Sequence, residues 1–191
     1  MDKIKLGYAF CGSFCTFDKS IEELISLKET DKYDIFPIMS ETAYTTDTRF
    51  GNSKCFISRI EQICEKEIIH SIVSAEPLGP KKMVDVLLIL PCTGNTLSKL
   101  SNAITDTAVT MAAKSVLRVK IPVVIGLASN DSLSGNAQNI GRLLNTKNYY
   151  FVPFSQDSPF EKPTSAICDF KKAGETIEKA LKGEQIEPIL F

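Results

Sequence analysis

The chain alternates between short apolar runs and segments with helical spacing, and this alternation constrains its fold more than any other feature. The apolar runs are rich in β-branched and aromatic residues, have the length of buried strands, and cover residues 4–10, 33–39, 84–90, 123–127 and 149–154. Because the connection between two parallel strands must cross one face of a sheet, strands that alternate with helices form a parallel sheet covered on both faces. The sequence predicts an α/β fold with a doubly wound, Rossmann-like open parallel sheet.

Helical spacing of apolar residues is found between these runs, around residues 21–28, 56–64, 97–104 and 140–144. A last helix is predicted to begin at Thr164, directly after Pro163, and to end at Gly183, followed by an extended tail over residues 184–191. No linker and no internal repeat divides the sequence, so we expect a single domain over residues 1–191.

Composition and charge disfavour two broad classes of function. The formal net charge of -1 supplies no basic surface for nucleic acid. No run of about 18 apolar residues is present, and the apolar stretch that begins at Ile4 is too short for a signal peptide. We therefore expect a cytoplasmic protein that binds neither nucleic acid nor a membrane.

The six cysteines are spread over the whole chain without any secretory context, so we interpret them as reduced thiols. Cys11 and Cys15 are four positions apart, but no second pair of Cys or His residues follows with the spacing of zinc ligands. We expect no metal site.

Small polar residues concentrate in the loops that follow the predicted strands. Open parallel sheets bind their ligands beyond the carboxyl ends of the strands, which makes these loops the candidate binding site. The candidate residues are Gly12 and Ser13 after the first strand, Ser40 and Thr42 after the second, Thr93, Gly94, Asn95 and Thr96 after the third, and Ser129 and Asn130 after the fourth.

Two of these loops have the chemistry of a phosphate site. Gly12-Ser13 and 93–96 each combine a glycine with hydroxyl or amide side chains just before a helix, where exposed N–H groups and the helix dipole attract an anion. Helix capping explains the same residue types about equally well. Neither G-x-G-x-x-G nor the P-loop pattern is present, so a mononucleotide such as FMN fits better than NAD or ATP. The residues alone predict a small phosphate-bearing ligand.

The segment 91–106 resembles the P-x-S-A-N-T stretch of the FMN-binding flavoproteins, which include phosphopantothenoylcysteine decarboxylase, the lantibiotic cysteine decarboxylases and flavin prenyltransferase. Within that family the resemblance extends over nearly the whole chain to the flavoprotein B subunits of dipicolinate synthases from spore-forming bacteria. The segments that carry it are 12–16, 48–51, 75–81, 93–95, 111–114, 129–131 and 153–160.

The resemblance implies roles for the loop residues. Gly12 and Ser13 would contact the FMN phosphate, and Ser129 and Asn130 would lie near the isoalloxazine ring or the ribityl chain. The phosphate and ribityl oxygens would be held by Ser40 or Thr42 together with Thr93, Asn95 and Thr96.

The activity implied is oxidation of dihydrodipicolinate, or of its hydroxytetrahydro precursor, to dipicolinate during sporulation in the mother cell. The resemblance also implies a separate A subunit of dipicolinate synthase, which binds NADP or NAD, and a homo-oligomer that is a trimer or a multiple of one. Two alternatives stay open: decarboxylation or prenyl transfer with the same flavin, and a non-catalytic role in which this chain only holds the flavin for the A subunit.

A dicarboxylate substrate needs cationic groups, and Arg49 is the first candidate because its guanidinium can bind a carboxylate through two hydrogen bonds. Lys81 is the second. The only histidine, His70, is interpreted as a packing or surface residue at the end of an amphipathic helix. The acid or base is not identified, and the residues available are Glu76, Asp106, Asp131 and Lys81. The proline-rich run 156–163 is expected to be a lid or an oligomer contact.

Overall fold

A computed structural model describes residues 3–191, and its centre is a seven-stranded sheet. The strands are β1 (Ile4–Phe10), β2 (Tyr33–Met39), β3 (Val86–Cys92), β4 (Val123–Ser129), β5 (Tyr149–Phe151), β6 (Phe154–Gln156) and β7 (Ala166–Cys168). The helices are α1 (Phe17–Glu29), α2 (Glu41–Thr45), α3 (Ser53–Cys64), α4 (Ile72–Ala75), α5 (Gly94–Ser101), α6 (Ala108–Leu117), α7 (Ala137–Leu144) and α8 (Ala173–Ala180). Three short 3-10 turns cover Phe14–Thr16, Glu76–Leu78 and Phe170–Lys172.

The first five strands are parallel and lie in the order β2-β1-β3-β4-β5. β5 pairs with only the first half of β4, and the last residues of β4 pair instead with the antiparallel strand β7, which pairs with β6. One layer of helices contains α1 and α8, and another contains α4, α5 and α6. The predicted doubly wound α/β fold is confirmed, with an antiparallel extension at one end.

The burial of the strands follows from this layering. All seven residues of β3 are buried, and β1 is buried from Leu6 to Phe10. A strand in the middle of such a sheet has helices on both sides, so both sets of alternating side chains must be apolar. Each large aliphatic side chain removed from water contributes about 1.5–3 kcal/mol. Among the described residues, none of the helices is both long and apolar enough to cross a membrane.

Two predictions at the end of the sheet are wrong. The sequence predicts one strand over residues 149–154, but the chain leaves β5 after Phe151 and enters β6 at Phe154. The break falls at Val152-Pro153, because proline has no N–H with which to continue the ladder. The two halves therefore pair in opposite senses, β5 with β4 and β6 with β7.

The last helix does not begin at Thr164. Residues 166–168 form β7 instead, and α8 begins only at Ala173. Ala166 and Cys168 are buried while Ile167 between them is partly exposed, which is the two-residue period of a strand. Pairing with β4 and β6 supplies the backbone hydrogen bonds that a helix would have supplied.

Other boundaries differ by smaller amounts. β3 is shifted two residues along the chain, and α5 ends before Ile104, which is exposed. The helices α2, α4 and α6 were not predicted; α2 and α4 are too short to show a periodic pattern. The tail after Gly183 has no regular element and contacts the sheet through a bridge between Leu190 and Phe154.

Gly79 lies where the segment before β3 packs closely on α6. Its N–H donates to Ser115 Oγ at 2.8 Å, and a β-carbon at this position would lie 1.9 Å from the carbonyl oxygen of Ser115. Because that oxygen belongs to a helix backbone, we expect Gly79→Ala to lower the free energy of unfolding by about 2 kcal/mol or more. Urea unfolding measures the change.

Gly141→Ala is the matched control, since a β-carbon there meets nothing within 4 Å. In the middle of α7 this substitution should raise the free energy of unfolding by about 0.5–1 kcal/mol. Equal unfolding midpoints for the two variants would show that Gly79 does not pack closely against α6.

Candidate functional site

A cavity of about 460 Å³ opens at the carboxyl ends of β1, β3 and β4. The chain leaves β1 toward β2 and leaves β3 toward β4, so the connections diverge between β1 and β3 and leave a crevice there. The cavity is lined by Gly12, Ser13, Phe14, Cys15, Thr16, Phe50, Thr93, Gly94, Asn95, Ala128, Ser129, Asn130, Asp131, Asp157, Lys162, Ser165, Ala166 and Ile167.

The loop after β1 is a tight turn that leaves amide groups unpaired. Ser13 N donates back to the Cys11 carbonyl at 2.7 Å, and the hydroxyl of Thr16 donates to the Ser13 carbonyl at 2.8 Å. Within residues 3–191, the N–H groups of Gly12, Phe14 and Cys15 donate to no other group. These amides are available to an anion.

The loop after β3 starts α5 and is tied to the first loop. Thr93 caps the helix, its hydroxyl accepting a hydrogen bond from Thr96 N at 3.2 Å. The Thr96 hydroxyl donates to Cys11 Sγ at 3.2 Å, and burial raises the pKa of that thiol to about 11, so the thiol stays neutral. In the part of the chain that the structure describes, the N–H groups of Gly94 and Asn95 have no acceptor. They lie at the positive end of the α5 dipole.

The loop after β4 contributes a carboxylate held from two sides. Ser129 Oγ donates to Asp131 Oδ1 at 2.5 Å, and Asn136 Nδ2 donates to Asp131 Oδ2 at 2.7 Å. Asn139 Nδ2 in turn donates to Asn136 Oδ1 at 2.8 Å, and the Ser101 hydroxyl donates to Asn139 Oδ1 at 2.7 Å. This chain of hydrogen bonds fixes the Asp131 carboxylate at the cavity wall.

Gly94 is the point where the second and third loops meet. A β-carbon on Gly94 would lie 2.4 Å from Asp131 Oδ1 and 2.6 Å from both Ser129 Oγ and Asn136 Nδ2. Any larger residue would displace the polar network, so the close approach of these loops requires glycine.

A segment between β6 and β7 closes one side of the cavity and was not among the predicted site residues. Asp157, Lys162 and Ser165 line the wall, and Lys162 Nζ lies 3.1 Å from the Asp157 carboxylate. Thr164 Oγ1 donates to the Asn130 carbonyl at 2.7 Å, which attaches the segment to the third loop. Asp157 and Lys162 lie in the run 156–163, which the sequence predicts as a lid or an oligomer contact, whereas Ser165 falls in the wrongly predicted helix from Thr164.

Seven of the predicted loop residues line the cavity. They are Gly12, Ser13, Thr93, Gly94, Asn95, Ser129 and Asn130. The other three lie beside it. Thr96 is buried beneath the second loop, and Ser40 is a buried helix cap whose hydroxyl accepts from Ala43 N at 3.2 Å. Thr42 lies next to the first loop, its Cγ2 3.4 Å from where a Gly12 β-carbon would be.

The two predicted cationic groups have different positions. The Arg49 guanidinium lies over the ring of Phe50, 4.9 Å from its centroid, and Phe50 lines the cavity. Lys81 lies in the connection that leads into the amino-terminal end of β3, away from the carboxyl ends of the strands. The chain brings Arg49 to the rim of the cavity and does not bring Lys81 there.

Of the four acid or base candidates, only Asp131 lines the cavity. Asp106 forms an ion pair of 2.9 Å with Lys99, which holds the pKa of the Asp106 carboxyl below its usual range. Glu76 begins the 3-10 turn before β3 and does not line the cavity.

His70 does not lie at a helix end, because α3 ends at Cys64. It follows Ile69, which forms a bridge with Ile38 near the end of β2, and its ring stacks on Tyr44 with 3.9 Å between centroids. The side chain is exposed and does not line the cavity. Within residues 3–191 no cluster of three or more His, Cys, Asp or Glu side chains is arranged to hold a metal ion.

Comparison with known proteins shows where this architecture belongs. The family profile described as Flavoprotein matches residues 1–181. The chain is 43% identical over 189 residues to the B subunit of dipicolinate synthase from Bacillus subtilis (strain 168), a match that covers 97% of this chain and 92% of that protein.

Solved structures agree with this match. The crystal structure of the dipicolinate synthase B subunit from Bacillus halodurans C superposes with a TM-score of 0.90 and 44% identity, covering 100% of this chain and 98% of that one. The FMN-dependent cysteine decarboxylase SpaF shares the fold, with a TM-score of 0.66 and 22% identity over 93% of this chain and 97% of that one. The strand order, the polar loops at the strand ends and these matches lead to one conclusion: the chain belongs to the flavoprotein family.

Proposed function

We propose that this chain is the flavin-binding subunit of a two-subunit dipicolinate synthase and that FMN binds in the cavity at the ends of β1, β3 and β4. The observation that carries the proposal is the pair of loops with unpaired amides on either side of the switch point. Doubly wound sheets of the order 2-1-3-4-5 bind their ligands at the switch point between β1 and β3, and FMN is the ligand there in flavodoxin. The dipicolinate synthase B subunits similar to this chain supply the name of the activity. All of residues 1–191 would form the FMN-binding domain.

The cavity fits FMN in size and chemistry. Its volume of about 460 Å³ is within the range of cofactor sites. The amides of Gly12, Phe14 and Gly94 and the hydroxyl of Ser13 are donors suited to a phosphate. The aromatic rings of Phe14 and Phe50 provide an apolar wall for a flat ring system.

The individual roles follow from the contacts. Gly12, Ser13 and Asn95 would hold the phosphate and ribityl oxygens, with Thr42 beside them. Ser129 and Asn130 would lie along the ribityl chain or the ring. Ser40, Thr93 and Thr96 would act indirectly. The Ser40 and Thr93 hydroxyls already cap α2 and α5, and the Thr96 hydroxyl joins the two loops.

The reaction removes one hydride and one proton from a dihydropyridine dicarboxylate. FMN, when bound, supplies the hydride acceptor. We assign the proton to Asp131, whose carboxylate is oriented by Ser129 and Asn136 at the cavity wall. A fixed carboxylate within reach of the substrate is the geometry that general base catalysis requires.

Binding of the substrate carboxylates must depend on local groups, because the net charge of -1 gives no long-range attraction. Arg49 at the rim is exposed and free to turn from Phe50 to a carboxylate. Lys162 lines the cavity and provides a second cation when it leaves Asp157. Lys81 is too far from the cavity to share this role.

The two electrons must leave the site after each turnover. The sequence has no dinucleotide fingerprint, so the acceptor would be NADP or NAD on a separate A subunit. Activity would therefore require both subunits, in the mother cell of a sporulating bacterium. The chain would also form a homo-oligomer, a trimer or a multiple of one, in which exposed apolar side chains such as Val73 and Phe160 would be covered.

Gly94→Ala tests the position of FMN. The added methyl group would collide with Asp131 and Ser129, so we expect FMN affinity to fall about tenfold or more. Asn95→Leu should have a similar effect, because it removes a polar side chain that lines the cavity. Absorbance of bound flavin and titration with FMN measure the loss.

The control is again Gly141→Ala, which should bind FMN as the unsubstituted protein does. FMN must also raise the melting temperature of the unsubstituted protein, since a ligand that binds only the folded state stabilises it. An unchanged melting temperature would refute the assignment of the cofactor.

Asp131→Asn tests the proton acceptor. The amide keeps the size of the side chain but cannot take up a proton, so kcat should fall about 10²-fold or more while FMN remains bound. Asp106→Asn, outside the cavity and paired with Lys99, is the control and should keep its kcat. An Asp131→Asn protein with full kcat would exclude Asp131 as the base.

Arg49→Lys tests the carboxylate contact. Lysine keeps the charge but cannot form two parallel hydrogen bonds, so we expect kcat/KM to fall about tenfold in the reconstituted enzyme. The assay mixes this chain with the A subunit, substrate and NADP, and follows the absorbance of the aromatic product. Arg59→Lys, whose guanidinium pairs with Asp18 away from the cavity, is the control.

Equal values of kcat/KM for Arg49→Lys and Arg59→Lys would remove the carboxylate contact from the proposed site. Full product formation by this chain alone would remove the requirement for the A subunit. If the A subunit instead formed the product at the full rate with FMN-free chain, the flavin would have no part in turnover.

A further inference from the structure

A second cavity, of about 550 Å³, lies between α1 and the turn that joins β7 to α8. It shares no lining residue with the cavity at the strand ends. Its wall is formed by Lys19, Glu22, Glu23, Ser26, Cys168, Asp169, Phe170 and Lys171. The proposed oxidation uses none of these residues.

Glu23 is the unusual member of this wall. Only 7% of its surface is exposed, yet its carboxylate accepts no hydrogen bond and forms no ion pair within residues 3–191. Every fully enclosed side-chain oxygen or nitrogen in the described part of the chain has a partner. The carboxyl oxygens of Glu23 are therefore not fully enclosed, and the space beside them is the cavity that Glu23 lines.

The titratable groups around Glu23 come from α1, from the turn that joins β7 to α8, and from the sheet. Burial, and to a smaller extent the nearby Asp169 carboxylate, raises the pKa of Glu23 to about 7, while Lys171 opposes the shift. Lys19 and Glu22 lie on the same helix, and Cys168 on β7 is neutral because burial raises the pKa of its thiol. Tyr8 and Tyr33 face Glu23 from the sheet, and the pKa of each phenol is also raised by burial.

A buried carboxylate without a partner is unfavourable, and a cationic donor is the group that satisfies it best. Lys19 is four residues before Glu23, so the β-carbons are about 5–6 Å apart on the helix. Within residues 3–191, neither Lys19 nor Lys171 forms an ion pair. The cavity thus places an unsatisfied acid beside two cations that are free to bind an anion.

We propose that this cavity is a second binding site for a small zwitterion, whose ammonium group donates to Glu23 and whose carboxylate binds Lys19 or Lys171. Asp169 adds a second negative charge near Glu23 and so reinforces the preference for a cation there. Ser26 offers a hydroxyl and Phe170 an apolar surface for the part of the ligand between the two charges.

The pH dependence of binding follows from the raised pKa of Glu23. The ammonium group binds the ionised carboxylate, and ionisation is incomplete below a pKa of about 7. Affinity should therefore increase as the pH rises from about 6 to about 8, and binding should release a proton near neutral pH. The phenols of Tyr8 and Tyr33 keep their protons throughout this range, because burial raises their pKa values.

The test uses three probes of equal chain length on the FMN-loaded protein: 6-aminohexanoate, hexylamine and hexanoate. Calorimetry should show saturable binding of 6-aminohexanoate, with a Kd of about 1 mM or tighter, and binding about tenfold weaker for the other two. Glu23→Gln should weaken the binding of 6-aminohexanoate about tenfold and abolish its pH dependence. Glu29→Gln, exposed on the same helix and outside the cavity, should leave binding unchanged.

A second measurement uses only the unsubstituted protein, so its outcome does not depend on whether a variant folds. The carboxyl carbon resonance of Glu23 should titrate near neutral pH in the free protein and at lower pH with 6-aminohexanoate bound. No saturable binding, equal binding of hexylamine, or equal binding by Glu23→Gln would each overturn the proposal. FMN content is recorded in parallel, so a failure of the flavin assignment is seen separately.

Discussion

The connections that leave β1 and β3 run in opposite directions across the sheet, and the rest of the site depends on this divergence. A right-handed crossover on each side leaves the ends of the two strands uncovered, so their loops face a common crevice. The tight turn after β1 and the start of α5 then bring five unpaired amides to one place. The Thr96 hydroxyl, which donates to the Cys11 thiol, fixes the distance between the two loops.

Close packing at this crevice restricts which residue types can occupy its loops. Gly94 allows the second and third loops to touch, and the hydrogen bonds from Asp131 through Asn136 to Asn139 hold the third loop against α5. The antiparallel pair of β6 and β7 completes the wall, because it brings the segment with Asp157 and Lys162 back over the end of β4.

The two cavities differ in the charge they are built to receive. The one at the strand ends presents amide and hydroxyl donors, which suit an anion, whereas the one under α1 presents the unsatisfied carboxylate of Glu23. The net charge of -1 attracts neither kind of ligand at a distance, so recognition depends on local groups. Burial gives these groups their strength, because an unpaired charge or donor away from water gains most from a partner.

The sequence by itself determined the layered α/β fold and seven of the cavity residues, because apolar periodicity and small polar residues after strands are local signals. Thr93 and Gly94 illustrate this, since one caps a helix and the other permits a close approach wherever the loop lies. Only the tertiary structure decided that 166–168 is a strand rather than a helix, because its partners β4 and β6 are distant in sequence. Only the tertiary structure, likewise, placed Lys162 in the cavity wall, left Lys81 outside it and enclosed Glu23. Each of these outcomes depends on which distant segments pack together, and a local pattern does not encode that.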